Sequence, residues 1–232
     1  MGYGVKVDVR GDFALFTRPE LKAERVSYDL ITPSAARGVL EAVFWHPGLK
    51  WIVDEICVLS PIKFTTVRRN EVSSKVKARV MWQAMANGGR PPYLATPKDI
   101  MQRASLLLTD VHYVITAHFE MTPQAAAGDN PGKFSEMFRR RLAKGQNYHQ
   151  PYLGCREFPA QLRPCENEVS LPIPEELRGE KDLGFMLYDM DYSDKTRLRP
   201  QLFRAVLRDG VLDLRGVEVY ERFFRHSQNI IK

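Results

Sequence analysis

The sequence predicts an α+β protein whose segments run strand, helix, strand, strand, helix, strand, and three observations carry that prediction. Runs such as "VKVDVRG" and "VHYVITAHF" alternate apolar and polar residues, the period of a half-buried strand. Two other stretches, 32–48 and 130–145, instead place apolar residues at helical spacing behind a start signal and end in glycine. One helical stretch follows the first strand and the other precedes the fourth. This is the split βαββαβ pattern of a ferredoxin-like (RRM-like) domain, an antiparallel four-stranded sheet with both helices on one face and the other face open to bind something.

Val5, Val7 and Val9 alternate with Lys6, Asp8 and Arg10, which sets a first strand near residues 3–10. Residues 11–31 read as an irregular connection. Thr32 then offers a capping hydroxyl and Pro33 suits the first helical position. Ala35, Val39, Leu40 and Val43 recur at helical spacing up to a stop at Pro47-Gly48. "LKWIVDEICVLSPIKF" is rich in β-branched and aromatic residues and reads as one long strand, with Pro61 marking an edge or bend. Periodicity is lost over about 65–103, which reads as an insertion, partly a basic hairpin or loop. "SLLLTDVHYVITAHFEM" returns to strand character, with Val111, Tyr113, Ile115, Ala117 and Phe119 on one face. The second helix covers about 132–144 and is closed by Gly145. "YLGCREFPAQL" reads as a strand, and "LGFMLYDMDY", "PQLFRAVLRDG" and "VLDLRG" as further strands joined by turns such as Asp209-Gly210. The expected organisation is a ferredoxin-like domain over residues 1–165, with the basic insertion at about 65–103, and a C-terminal β-rich module and tail over 166–232.

Composition narrows the function. With 232 residues, 44% apolar and 27% charged, the chain has the makings of a sizeable core. No apolar run approaches the roughly 18 residues needed to span a bilayer, and "MGYGVKVDVRG" leads directly into a strand rather than a signal peptide, so a cytoplasmic protein without a membrane partner is expected. Cys57, Cys155 and Cys165 are odd in number and widely spaced, which points to neither a disulfide framework nor a zinc site. The net charge of +6 favours a polyanionic partner, and the charge is clustered. Six basic residues stand against Glu71 alone between Lys63 and Arg79, and five stand against Glu136 alone between Lys133 and Lys144.

Phosphate chemistry then divides by mechanism. A P-loop is excluded because Phe134 follows Lys133 where Ser or Thr is needed and Gly128 lies one position too close to Gly132. Dinucleotide, zinc-protease and nucleophile-elbow motifs are absent, and no carboxylate cluster suggests a two-metal nuclease. RNA needs no such cofactor, because it carries its own nucleophile. A protein that cleaves it need only take the 2′-hydroxyl proton, return one to the leaving 5′-oxygen and offset charge on the phosphorane. Lys133, at the start of a helix whose free N–H groups attract anions, suits the last role.

Five blocks, "GDFALFTRPE", "ERVSYDLITPSAARGVLEAVFWHP", "VRRNEVSSK", "AHFEM" and "YLGCREFP", resemble the d variant of the fifth Cas family, the CRISPR-associated protein of subtype I-C. The similarity runs from about residue 5 to residue 210. The resemblance implies a repeat-associated RNA-binding protein with a ferredoxin-like domain. It further implies recognition of the CRISPR repeat hairpin RNA, metal-independent cleavage of the precursor, and retention on the 5′ handle of the mature guide RNA beside the other subunits of the subtype I-C surveillance complex. The tyrosine, lysine and histidine assigned to catalysis in that family correspond here to Phe44, Lys133 and Phe134. A phenyl ring moves no proton. His46, two residues past Phe44, and His149 or Tyr148, after the second helix, are the candidates to replace the missing groups. The catalytic set to examine is therefore Lys133, His46, Phe44 and Phe134. For RNA binding, Arg68, Arg69, Lys75, Lys77 and Arg79 are expected on phosphates and Asn70 on a base edge. One or two of Arg139, Arg140 and Arg141 are expected to face RNA, and Phe44, Trp45 and Phe134 to offer stacking surfaces. The alternatives are a subunit that binds RNA without cutting it and a nonspecific duplex-DNA binder.

Overall fold

The computed structural model describes residues 4–21, 23–88, 92–165, 172–194 and 198–220. The expected C-terminal tail beyond 220 and positions 89–91 of the insertion lie outside them. Strand β1 (Val5–Ala14) is followed by the two-residue β2 (Arg25–Val26), helix α1 (Pro33–Val43), β3 (Leu49–Val58) and β4 (Phe64–Val72). Helix α2 (Ala78–Asn87), β5 (Ile100–Met121), α3 (Pro131–Ala143), β6 (Gln161–Pro164), β7 (Glu180–Asp191), β8 (Arg199–Arg208) and β9 (Val211–Asp213) complete the chain.

The result is a mixed fold dominated by an antiparallel sheet ordered β6-β1-β5-β3-β9-β8-β7. Alternation decides which face is buried. Val5, Val7 and Val9 face the core, as do Val111, Tyr113, Ile115, Ala117 and Phe119 on β5, while Lys6, Asp8 and Arg10 point away. Val7 pairs with Ile115, and Trp51 of β3 pairs with Phe119. Helix α1 contributes Ala36, Val39, Leu40 and Val43 to this core, and α3 contributes Phe134, Phe138 and Leu142, spaced four residues apart on one face.

Five segments differ from the sequence reading. In the stretch 11–31, expected as an irregular connection, β1 runs on to Ala14 and β2 pairs with β5. "LKWIVDEICVLSPIKF" forms two strands, because β3 ends at Val58 and the chain turns through Pro61 before β4 starts at Phe64. The stretch 65–103 is more ordered than expected. β4 pairs with the first part of β5 from Phe64 opposite Leu108 to Val72 opposite Ile100, forming an arm that carries the unforeseen helix α2. Helix α1 stops at Val43 rather than near Pro47, since Phe44 is already extended. In "YLGCREFPAQL" only Gln161 onward is strand. Tyr152 to Pro159 is a turn closed by one isolated bridge and by the Phe158 N–H donating to Cys155 O at 2.9 Å.

The C-terminal strands share the sheet and the core of the N-terminal part. After the Asp209-Gly210 turn, β9 lies against β3, with Leu212 opposite Ile56, and Met186, Phe203, Ala205 and Leu207 join the main core. Arg37 of α1 makes a two-pronged ion pair with Asp189 of β7 that ties helix to strand. No helix among the described residues is long and apolar enough to cross a membrane.

Candidate functional site

The site forms where the C-terminal end of α1 meets the start of α3. A helix ends with unpaired carbonyls, and here donors reach those of Ala42 and Val43 and of Phe44 just beyond. Tyr148 N–H donates to Ala42 O at 2.7 Å, Arg141 Nη1 to Val43 O at 3.2 Å, and the Trp51 indole N–H to Phe44 O at 2.9 Å. These three bonds draw the extended residues after α1, the α3 helix and the loop beyond it into one region. The start of α3 is set locally: Asn130 accepts the Lys133 N–H at 2.9 Å, and Pro131 takes the first turn.

Phe44 and Phe134 sit side by side, with ring centroids 5.7 Å apart. Phe134 also packs on His46 at 4.9 Å and on Phe119 at 6.4 Å. Phe44 is 3% exposed and Phe134 1%, so neither offers a stacking surface to RNA; both are core residues. Trp45 is 59% exposed and does offer one. Arg141 lies 5.1 Å from the Phe44 ring centre, a cation over an aromatic face that also neutralises the negative end of α1.

Around these rings lies a polar group that sequence reading missed. Lys133 Nζ donates to Asp129 Oδ1 at 2.9 Å, and Asp129 Oδ2 accepts the Ala126 N–H at 3.0 Å while facing His46 Nε2 at 3.8 Å. The Lys133 hydrogen bond, with the Ala126 N–H and then the charges of Lys133 and His46 adding to it, holds the Asp129 carboxyl below the usual carboxylate range. The acid-to-lysine spacing of four residues was the available signal. Asp129 thus bridges two of the proposed catalytic side chains.

The two candidate histidines differ in what they can do. His46 Nδ1 accepts the Gly48 N–H at 3.0 Å, so a neutral His46 carries its proton on Nε2 and can only donate. His149 Nδ1 lies 3.2 Å from the Gln150 carbonyl and must donate to it, which leaves Nε2 as an open acceptor.

The expected RNA contacts separate by strand face. Arg68 and Asn70 lie on the exposed face of β4, whereas Arg69 lies on the other face, ion-paired with Glu157 and 5.4 Å from the Phe158 ring centre. Arg69 is therefore bound up in packing the arm onto the 155–158 turn. Lys75 and Arg79 are exposed, and Lys77 is the residue at which α2 begins. Arg139 and Arg140 are exposed on α3, while Arg141 turns inward to α1.

The site thus belongs to a basic α+β protein that groups lysine, carboxylate and imidazole at a helix start. The family model described as CRISPR-associated protein (Cas_Cas5), Cas5d type, matches residues 4–215. Over 217 residues the chain is 44% identical to the CRISPR pre-crRNA endoribonuclease Cas5d of Mannheimia succiniciproducens, covering 92% of this chain and 96% of that protein. Identity to the protein of the same description from Thermus thermophilus is 37% over 249 residues, covering 98% of each. A solved structure described as a CRISPR-associated protein superposes with a TM-score of 0.65 at 23% identity, covering 90% of each chain. The chain belongs to the Cas5d family.

Proposed function

We propose that this protein is a precursor-guide-RNA endoribonuclease that binds the CRISPR repeat hairpin, cleaves it without a metal, and stays on the 5′ handle within the subtype I-C surveillance complex. The observation that carries the reading is the near full-length likeness to two relatives described as pre-crRNA endoribonucleases. The strand order β6-β1-β5-β3, with α1 and α3 as the crossovers, supports a ferredoxin-like core.

In this mechanism the 2′-oxygen loses its proton and attacks the adjacent phosphorus. The bond to the 5′-oxygen breaks, and that oxygen takes up a proton, leaving a 2′,3′-cyclic phosphate and a 5′-hydroxyl. Lys133 offsets the extra negative charge in the transition state. His46, with its proton on Nε2, donates a hydrogen bond to the leaving 5′-oxygen, which takes its proton from solvent water, and His149, with an open Nε2, accepts the proton of the 2′-hydroxyl. The exposed apolar residues Val80, Met81, Trp82 and Met85 on α2, none buried against this chain, are the surface offered to another subunit of the complex.

The test is incubation of an end-labelled repeat RNA with purified protein in EDTA, beside RNAs carrying a 2′-deoxy substitution at each candidate site. One discrete cut is expected, abolished by the deoxy substitution at the cut and slowed about 100-fold or more by Lys133→Ala. Tight binding without a cut would instead make this a non-cleaving subunit, the reading favoured by the burial of Phe44 and Phe134 at the two proton-carrying positions of the family. Steep salt dependence with no preference for repeat RNA over duplex DNA would mark a nonspecific binder.

A further inference from the structure

A cleft of about 480 Å³ opens against one face of α1, lined there by Ser34, Ala35, Gly38 and Glu41. The strand exit at Leu15–Thr17, the loop from His149 to Gly154, and Leu187 form its other walls. The walls are fixed in place. Leu15 N–H donates to Leu153 O at 3.1 Å, and the loop approaches the strand so closely at Gly154 that a Cβ there would stand 2.0 Å from the Leu15 carbonyl oxygen. The floor is held open by a missing side chain: a Cβ on Gly38 would meet nothing within 4 Å. A glycine inside a helix weakens it relative to alanine, so this opening is kept at a cost to α1.

The chemistry of the walls selects the occupant. Among the described residues no Lys or Arg lines the cleft, and Glu41 there would repel a phosphate, which argues against a bare anion. The Glu41 carboxylate accepts hydrogen bonds, with one oxygen 3.3 Å from Arg37 Nε. The Tyr152 and His149 rings lie 6.1 Å apart at 34° and provide flat faces. Outward from them the ladder continues to Tyr148, 6.1 Å from His149 and 86% exposed, which the Tyr148 N–H bond to Ala42 O fixes beside the end of α1. Aromatic faces, a hydrogen-bond acceptor and hydroxyl groups in a small cleft are what an unstacked base requires.

We propose that this cleft receives one unpaired nucleobase of the bound RNA, a base bearing an exocyclic amino group, with Glu41 reading the amine and Tyr152 supplying the stacking face. Guanine, adenine and cytosine can donate to the carboxylate, whereas the edge of uracil sets a carbonyl on each side of its single N–H. The inference rests on the RNA-binding reading above and adds to it the place where one base is read.

The experiment measures the affinity of the full chain for repeat RNA and for a set of repeat RNAs in which each unpaired position is changed in turn to uridine. Alongside the parent, Gly38→Met fills the cleft, Gly38→Ala adds one methyl, and Glu41→Gln removes the charge. Melting temperatures confirm that each variant folds. One position is expected at which uridine weakens parent binding about tenfold. Gly38→Met should weaken binding to parent RNA by a similar factor and abolish that discrimination, Glu41→Gln should reduce the discrimination, and Gly38→Ala should weaken binding less than Gly38→Met. If the parent fails to bind repeat RNA, the RNA-binding reading itself falls. If the parent binds, and Gly38→Met folds and binds with the same affinity and base profile, only the cleft assignment is overturned.

Discussion

At the scale of single residues, Asp129 is the side chain whose substitution is most informative. It holds Lys133 and faces His46, and its carboxyl titrates below the usual range because Lys133 and the Ala126 N–H bond its charged form. A depressed carboxyl contributes stability and order above its unfolded value of about 3.9, and loses them as pH falls through the lower folded value. Asp129→Asn should leave the fold intact and slow cleavage by a factor that stays the same from pH 4 to 9, because the native carboxylate is ionised throughout that range. Single-turnover cleavage over that range, with RNA affinity measured in parallel, checks it; an unchanged rate would confine Asp129 to shaping its loop. Lys133 was visible in the sequence through its place at a helix start, whereas Asp129 was missed, although its spacing of four residues from Lys133 was the available signal. The fate of Phe44 and Phe134 was not visible. Their burial depends on Phe119 and Trp51, brought in by strand pairing, and no local pattern reports that contact.

Elements show the same division between local and long-range information. Helices α1 and α3 carry their own caps, Thr32 and Asn130, so their starts were legible to within a residue or so. The premature end of α1 was not, because the donors that meet it come from Trp51 on the next strand and from Arg141 and Tyr148, far along the chain. Helix α2 was missed for a different reason: none of its residues is buried, so no core-facing stripe had to be present. Two predictions belong here. Gly38→Ala removes a mid-helix glycine at a position with open space and should raise stability by about 0.5–1 kcal/mol, read by urea unfolding. On the arm, Arg68, Lys75 and Lys77 are exposed and point to solvent, while Arg69 is bound to Glu157. Changing those three to alanine should reduce the slope of log Kd against log salt for single-stranded RNA by up to about 2, at roughly 0.7 per phosphate contact. Arg69→Ala should instead act on stability, by loosening the arm from the turn at Phe158.

For the whole molecule, the organising fact is that one core and one sheet run from β6 to β7, with β9 as the splice between the early strands and the late hairpin. Strand β1 and the latter part of β5 could be read because each was announced by its own periodicity. The attachment of the C-terminal strands could not, because β9 is only three residues long and pairs with a strand far earlier in sequence. That splice is short, and the Arg37–Asp189 pair from α1 to β7 adds to the attachment made by the shared core. Burial depresses the Arg37 guanidinium, and the Asp189 hydrogen bonds and charge more than reverse this, so Arg37 stays charged. Removing one partner of a half-buried pair leaves the other short of compensation, at a cost of about 1–3 kcal/mol once partial exposure is allowed for. Arg37→Ala and Asp189→Ala should each destabilise by that amount. The double variant should cost less than the sum of the two, which a double-mutant cycle by chemical denaturation measures. A loosened attachment would also shift Leu187, a wall of the cleft, relative to Glu41 on α1. Arg37→Ala is therefore expected to weaken RNA binding together with stability, whereas Arg69→Ala, on the arm, should loosen the arm without changing discrimination at the cleft.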